Sequence, residues 1–178
     1  VSKDKHKSAP QNWQPNAGLV LETRKVAKSR GKSCENLAGL MKVWDEANHV
    51  VGRDFVSGIH HAYPIQPDLM TGDDAAAKDE LALYRYTGFF KTDEPGEYLF
   101  ATASHWGSYL LVDDKPIVSW SGNHGYRDGI RGQKQGKVTL QSGIHKLEYL
   151  NYNLSGRMFS LAAWQPPKGK LSVMTESD

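Results

Sequence analysis

The chain has 178 residues, of which 39% are hydrophobic and 24% charged, a composition that favours one globular domain and excludes wholesale disorder. Its formal net charge of +2 is too small to indicate a nucleic-acid partner. The single cysteine, Cys34, excludes an internal disulfide, and no apolar run approaches the ~20 residues of a membrane-spanning helix. We therefore expect one domain with no transmembrane segment and no nucleic-acid partner.

The first part of the chain is predicted to be a tail followed by a strand. Residues 1–17 are polar and lack an apolar period, which is typical of a linker or tail. The short apolar run over residues 18–22 predicts a first strand. Because the chain starts at Val1 and not at a methionine, we expect it to be a processed or excised piece of a larger protein.

One helix and one long loop are predicted next. Apolar residues at three- and four-residue steps predict a helix over about residues 33–47, with Ser33 as its cap. The predicted core-facing residues are Leu37, Leu40, Met41, Trp44 and Ala47. Prolines, a glycine and the pair Asp73 and Asp74 predict a long loop over about residues 55–78.

From residue 81 onward the chain alternates apolar and polar residues and is rich in aromatics. Turn residues recur about every 8 to 12 positions, which is typical of an antiparallel sandwich or barrel. The predicted strands cover residues 81–90, 97–102, 108–112, 117–120, 137–140, 144–150 and 157–164. We therefore predict an all-β fold, with one domain over residues 18–171 and a tail over residues 172–178.

Five segments between residues 84 and 164 carry strand and turn motifs in one particular order. They are YTGFF (residues 86–90), EPGEYLF (94–100), SHWGSYLLVD (104–113), VTLQSGIH (138–145) and FSLAAW (159–164). Together they resemble the protective-antigen fourteen-kilodalton domain family (PA-fourteen, or PA14), with residues 18–22 in the place of its first strand. The resemblance implies an antiparallel β-sandwich, to which the predicted helix and long loop are additions.

The resemblance also implies a ligand class. The family occurs in toxins, adhesins, glycosidases and flocculins, and its lectin members hold calcium with two adjacent aspartates and an asparagine from a second loop. In this sequence His105 and Trp106 occupy the two aspartate positions, and neither is a hard oxygen ligand of the kind that calcium prefers. No cofactor is therefore expected. Asp113 and Asp114 are the weaker calcium candidates, and capping the turn is the alternative role of Asp113.

The candidate ligand-binding residues lie in two predicted loops and are His105, Trp106, Trp120, Asn123, Tyr126 and Arg127. An exposed indole can stack on the apolar face of a sugar ring, and polar neighbours can bind its hydroxyls. The alternative is that Trp106 and Trp120 fold back and cover the end of the sandwich. A zinc site at His105 and His124 is a further alternative, if the two loops meet.

Catalytic motifs are missing from the sequence. It contains no Gly-x-Ser-x-Gly elbow, no phosphate-binding loop and no zinc-protease helix. Cys34 opens the predicted helix, where a lowered pKa would be possible, but no neighbouring residue supplies a base. We therefore expect that the chain is not an enzyme.

Two functions are compatible with these residues. The first is a non-catalytic carbohydrate-binding or adhesion module of a larger secreted or cell-envelope protein, located outside the cytoplasm, with a glycan as its partner. The second is a structural or protein-interaction domain in an extracellular assembly, which would dock through the predicted helix and long loop. An exposed aromatic cluster at the end loops would favour the first, and a large apolar patch around the helix would favour the second.

Overall fold

The computed structural model describes residues 18–62, 79–125, 128, 131–155 and 159–175, with His61 and Ala62 described for their backbone only. Within these residues the chain forms strands, one 3₁₀ helix and one α-helix. In chain order they are β1 (Leu19–Ala27), the 3₁₀ helix (Lys28–Glu35), α1 (Leu37–Glu46), β2 (His49–Val56), β3 (His60–Ala62), β4 (Glu80–Thr92), β5 (Gly96–Ser104), β6 (Ser108–Val112), β7 (Lys115–Trp120), β8 (Gln135–Leu140), β9 (Gly143–Asn153), β10 (Phe159–Gln165) and β11 (Ser172–Val173).

The strands form two antiparallel sheets. The six-stranded sheet has the order β2-β1-β4-β9-β6-β7. The five-stranded sheet has the order β11-β10-β5-β8, and β3 also pairs with β10. Side chains alternate between the two faces of each strand, so each sheet has one inner and one outer face. The antiparallel β-sandwich predicted from the sequence is confirmed.

The core lies between the two sheets and is rich in aromatic rings. Phe90 of β4 contacts Phe100 of β5 and Trp164 of β10 edge-on, with ring centroids 5.8 and 5.5 Å apart. Tyr98 stacks on Trp164 at 5.8 Å. Such aromatic pairs contribute about 0.5–1.5 kcal/mol each beyond the area that they bury. The two contacts of Phe90 cross from one sheet to the other and therefore help to hold the sheets together.

The helix covers one half of the outer face of the six-stranded sheet. Its buried residues are Leu40, Val43 and Trp44, which pack on a second apolar cluster with Leu83 and Tyr109 of the sheet. This arrangement explains why an amphipathic segment follows the first strand, since its apolar side covers sheet residues that would otherwise face water.

The predicted start of the helix is wrong. A 3₁₀ helix precedes α1, and the cap is Asn36 rather than Ser33, since the Asn36 side chain accepts a hydrogen bond from Gly39 N at 2.9 Å. Met41 is 38% exposed and Val43 is buried, so the buried side of the helix is rotated relative to the predicted one.

The predicted loop over residues 55–78 is also wrong in its first part. Phe55 and Val56 end β2, which pairs with β1, and β3 pairs with β10. Residues 63–78, including Asp73 and Asp74, lie outside the described residues, as do residues 1–17. At the other terminus, the segment predicted as a tail contributes β11, and Met174 is buried in the core.

Among the described residues, neither helix has the length and apolarity to cross a bilayer.

Candidate functional site

The two loops that carry the candidate residues meet at one end of the sandwich. The first loop connects β5 to β6, and the second follows β7. His124 of the second loop donates its backbone N–H to the His105 carbonyl at 3.2 Å. Its ring Nδ1 lies 2.8 Å from the carbonyl oxygen of Ser104 and donates to it. His124 therefore fixes the position of one loop relative to the other.

The surroundings of the His124 ring favour its neutral form. Burial lowers its pKa below the ordinary value for histidine, with a nearby carboxylate, Asp128, acting in the opposite direction. Because Nδ1 carries the proton that bonds Ser104, Nε2 is left as an acceptor. That atom is buried, and it has no hydrogen-bond partner among the residues that the structure describes. Sequence reasoning considered His124 only as a zinc ligand and missed its structural role, which depends on a contact between loops.

Trp120 is half-buried, and its ring stacks on His124. The two centroids are 3.6 Å apart and the planes are inclined by 18°. The indole also packs against an apolar cluster on the outer face of the five-stranded sheet, formed by Ala101, Ala103, Leu161 and Ala163. The Trp120 side chain therefore lies between the loop and the sheet, held by contacts with both, and only part of its surface is open to solvent.

Trp106 packs elsewhere. Its ring lies 6.1 Å from that of Tyr152, and its Nε1 donates to the Ser155 carbonyl at 3.3 Å. It belongs to the edge of the cluster between α1 and the six-stranded sheet. The structure therefore does not bring Trp106 and Trp120 into one aromatic surface, because the two indoles cover different apolar clusters.

The polar candidates lie around the joined loops. His105 is half-buried and its ring centroid lies 6.4 Å from that of Trp106. Asn123 is exposed, and its Oδ1 accepts a hydrogen bond from Gly125 N at 3.1 Å, a contact that does not use its amide N–H donors. Tyr126 and Arg127, which follow in the same loop, lie outside the described residues.

The calcium candidates Asp113 and Asp114 form the two-residue turn between β6 and β7. Both have positive φ, 50° and 63°, as a tight hairpin turn requires. Asp113 accepts a hydrogen bond from Lys146 N at 2.9 Å and one from His145 Nδ1 at 2.7 Å. Asp114 pairs with Lys146 Nζ at 2.5 Å. Both carboxylates are thus engaged by basic partners, which supports the capping role.

The remaining candidates were a metal site and the thiol of Cys34. Within the described ranges, no three His, Cys, Asp or Glu side chains come together as a metal site. Cys34 is fully buried in the 3₁₀ helix, and burial raises the pKa of its thiol to about 12. The possibility of a lowered pKa at this cysteine is therefore wrong, because the thiol packs in the cluster under α1 instead of at an open helix terminus.

Neither a protein-family model nor a curated protein matches this sequence. Solved structures do match the fold. A PA14 sugar-binding domain from an RTX adhesin has a TM-score of 0.69 at 18% identity, with 90% of this chain and 96% of that chain covered. The PA14 domain of the antifreeze protein MpAFP has a TM-score of 0.65 at 14% identity, with 95% and 94% covered.

A third solved structure is an adhesin domain. The A domain of epithelial adhesin 9 from Candida glabrata, in complex with Galb1-4GlcNAc, has a TM-score of 0.60 at 10% identity, with 91% of this chain and 88% of that chain covered. At these identities the likeness shows the fold, and the fold is PA14-like, as the sequence motifs predicted.

Proposed function

We propose that this chain is a non-catalytic carbohydrate-binding or adhesion module of a larger secreted or cell-envelope protein, acting outside the cytoplasm. Two proteins that share its fold are described as sugar-binding or are seen with a bound galactosyl sugar. Since a fold does not imply a function, the proposal depends on the end loops of this chain.

The observation that carries the proposal is the contact of the two loops through His124. It places the stacked rings of Trp120 and His124 beside His105 and the exposed Asn123. An aromatic wall with polar groups at its rim is suited to a sugar, whose ring has an apolar face and a periphery of hydroxyls. Tyr126 and Arg127 follow in the same loop and are proposed to complete the site.

Binding is proposed to need no calcium. His105 and Trp106 replace the aspartate pair, and Asp113 and Asp114 are held by His145 and Lys146. Trp106 is assigned an indirect part, since its contact with Tyr152 fixes the loop that carries His105.

The test is a glycan-array screen of the whole chain, run with calcium and with chelator. We expect saturable binding that persists in chelator. The Trp120→Ala variant should lose at least about tenfold in affinity, because the indole forms the wall of the site. Phe89→Ala is the matched control: it removes an aromatic ring that is 71% exposed and lies opposite Lys146, at the other end of β9 from the loops.

The outcomes are distinct. Binding abolished by chelator would contradict the calcium-free site. Unchanged affinity in Trp120→Ala, or an equal loss in Phe89→Ala, would refute the location at the end loops. No binding in either buffer would refute the glycan function itself.

A protein-interaction domain is the second candidate, and the exposed apolar residues favour it. Phe55, Phe89 and Ile144 are 62%, 71% and 66% exposed. The predicted docking helix does not provide this surface, because its apolar side is buried against the sheet. Loss of a partner's binding on Phe55→Ser, with glycan binding unaffected, would support this candidate.

A further inference from the structure

A groove opens on the half of the six-stranded sheet that α1 leaves uncovered. Its volume is about 460 Å³, within the range of about 300–1,000 Å³ typical of small-molecule sites. Its lining includes Glu22, Arg24, Trp44, Arg53, Arg85 and Thr87. The groove lies on the face of the sheet and is formed by β1, β2, β4 and α1, so it is separate from the end loops.

Strand register brings the charged residues of the groove together. Glu22 on β1 pairs with Arg53 on β2 and with Arg85 on β4. The three therefore form one cross-strand row, with neighbouring strands about 4.8 Å apart. Because side chains repeat with a period of two, Val20 and Thr87 lie on the same face in the next row, beside Phe55.

Glu22 anchors two of the arginines and is only 7% exposed. It accepts hydrogen bonds from Arg24 Nε at 2.5 Å and from Arg53 Nε at 2.6 Å. Burial alone would raise its pKa, but the bonds from Arg53 and Arg24 outweigh burial and the pKa of Glu22 is lowered. Glu22 therefore stays ionised and keeps both guanidinium groups in place.

The groove carries an excess of positive charge. Two guanidinium groups share the single carboxylate of Glu22, whereas Arg85 is balanced by Glu148, whose Oε1 lies 3.0 Å from Arg85 Nη2. Counting Arg24, Arg53 and Arg85 against Glu22 and Glu148 leaves one positive charge uncompensated. A groove whose floor carries guanidinium groups in fixed positions favours the binding of an anion.

The three arginines differ in their freedom to bind a ligand. Arg24 donates through Nη1 to the carbonyls of Trp44 and Ala47 at 2.8 and 3.1 Å and lies over the Trp44 ring at 4.5 Å, so it holds the end of α1. The Arg53 side chain is 63% exposed, and its bonds to Glu22 use Nε and one N–H of Nη2. Nη1 and the second N–H of Nη2, which together form the other fork of the guanidinium, take no part in this pair. Arg85 is 30% exposed and uses Nη2 for its ion pair.

We infer that this groove binds a carboxylate-bearing ligand of about one or two sugar rings, with its carboxylate paired to Arg53 and its hydroxyls within reach of Arg85 and Thr87. A guanidinium group matches the planar carboxylate through paired N–H donors. The exposed ring of Phe55, together with Val20, provides apolar contact for the ligand ring. This site is independent of the end loops and stands whether or not they bind glycan.

The test is an NMR titration of the whole chain with glucuronate and, as its match, glucose, which carries a neutral hydroxymethyl group in place of the carboxylate. We expect saturable shifts of the Val20 and Thr87 amides and of the Arg53 side-chain Nε–Hε with glucuronate, and none with glucose. Arg53→Gln should weaken glucuronate binding about tenfold. Arg30→Gln is the matched control, since Arg30 pairs with Glu46 on the helix and does not line the groove.

An equal response to glucose, shifts confined to the end loops, or unchanged affinity in Arg53→Gln would overturn the inference. If Arg53→Gln loses its dispersed spectrum, Arg53→Lys replaces it: the charge remains but the planar fork is lost, and undiminished affinity would count against the site. Trp120→Ala should leave glucuronate binding intact, and Arg53→Gln should leave neutral-glycan binding intact. Failure of one site is thereby distinguished from failure of the other.

Discussion

Replacing Gly136 with alanine should destabilise the sandwich, because this glycine lies against the backbone of a strand from the other sheet. Gly136 is on β8, and a Cβ built on it would lie 2.0 Å from the Ile117 carbonyl oxygen and 2.8 Å from the Ile117 carbonyl carbon. Ordinary contact begins at 3.4 Å, so the overlap is 3.4 − 2.0 = 1.4 Å. Since Ile117 contributes backbone here, no side-chain rotation can relieve it, and β7 and β8 must move apart.

The magnitude follows from two opposing effects. Overpacking costs about 1–3 kcal/mol, and a backbone clash belongs at the upper end of that range. Alanine also lowers the conformational entropy of the unfolded chain, which stabilises the folded state by roughly 0.5–1 kcal/mol and offsets part of this cost. The free energy of unfolding should therefore fall by about 2 kcal/mol. For a chain of this length that corresponds to a decrease in melting temperature of roughly 4–8 °C.

Thermal unfolding followed by circular dichroism measures the effect. Gly122→Ala is the control, since no atom of the residues that the structure describes lies within 4 Å of its built Cβ, and its φ of 86° is what opposes a side chain. That strain costs about 1 kcal/mol, or roughly 2–4 °C. A Gly136→Ala variant that melts as high as the Gly122→Ala variant would refute the close approach of β7 and β8.

Three further predictions concern stability and reactivity. Trp106→Ala should lower the free energy of unfolding by about 2 kcal/mol in urea titrations, because the half-buried ring packs on Tyr152; an unchanged midpoint would contradict this packing. Asp113→Asn should remove a pH-dependent stabilisation. Burial opposes the charged form of both groups. Their mutual hydrogen bond, together with the backbone bonds to Gln141 and Lys146, outweighs burial, so the pKa of His145 is raised and the pKa of Asp113 is lowered. The contribution of His145 to the free energy of unfolding is complete below about pH 6.5 and is lost as pH rises through its raised pKa. The contribution of Asp113 is complete above about pH 3.9 and is lost as pH falls through its lowered pKa. The wild type should be more stable than Asp113→Asn by less than ~1 kcal/mol, because the Asp113 side chain is 46% exposed and the pair is screened by solvent. This difference should be largest between the two pH values in pH-dependent melts, and a difference that does not change with pH would exclude the pairing. Cys34 should resist thiol reagents in the native chain and react on unfolding, because burial raises its pKa to about 12; rapid native labelling would show that the cluster under α1 is open.

The start of α1 and the strand β2 could not be predicted from the local sequence. Ser33 and Asn36 are both good caps, and the choice between them depends on the 3₁₀ turn that packs beneath α1. β2 is mostly exposed and lacks an apolar alternation, so it carries no strand signal of its own. It forms because β1 offers it a partner along most of its length.

The candidate site was predictable in part. The loops around Trp106 and Trp120 were recognisable from their aromatic and turn residues, and the structure brings these loops together. The direction of each indole was not predictable, because it depends on which apolar cluster lies within reach. The groove had no sequence signal at all, since Glu22 and Arg53 are 31 residues apart.

The alternation and turn residues of the sequence determined an antiparallel β fold and the positions of the strands from β4 to β10 along the chain, because both are local properties. The resemblance of its motifs to the PA14 family then favoured a sandwich over a barrel. It also predicted that the family's calcium site is missing, since His105 and Trp106 stand where the resemblance places the two aspartates. Only the tertiary structure decided which aromatics face solvent and which charges meet, because burial and cross-strand register arise when distant segments pack against one another.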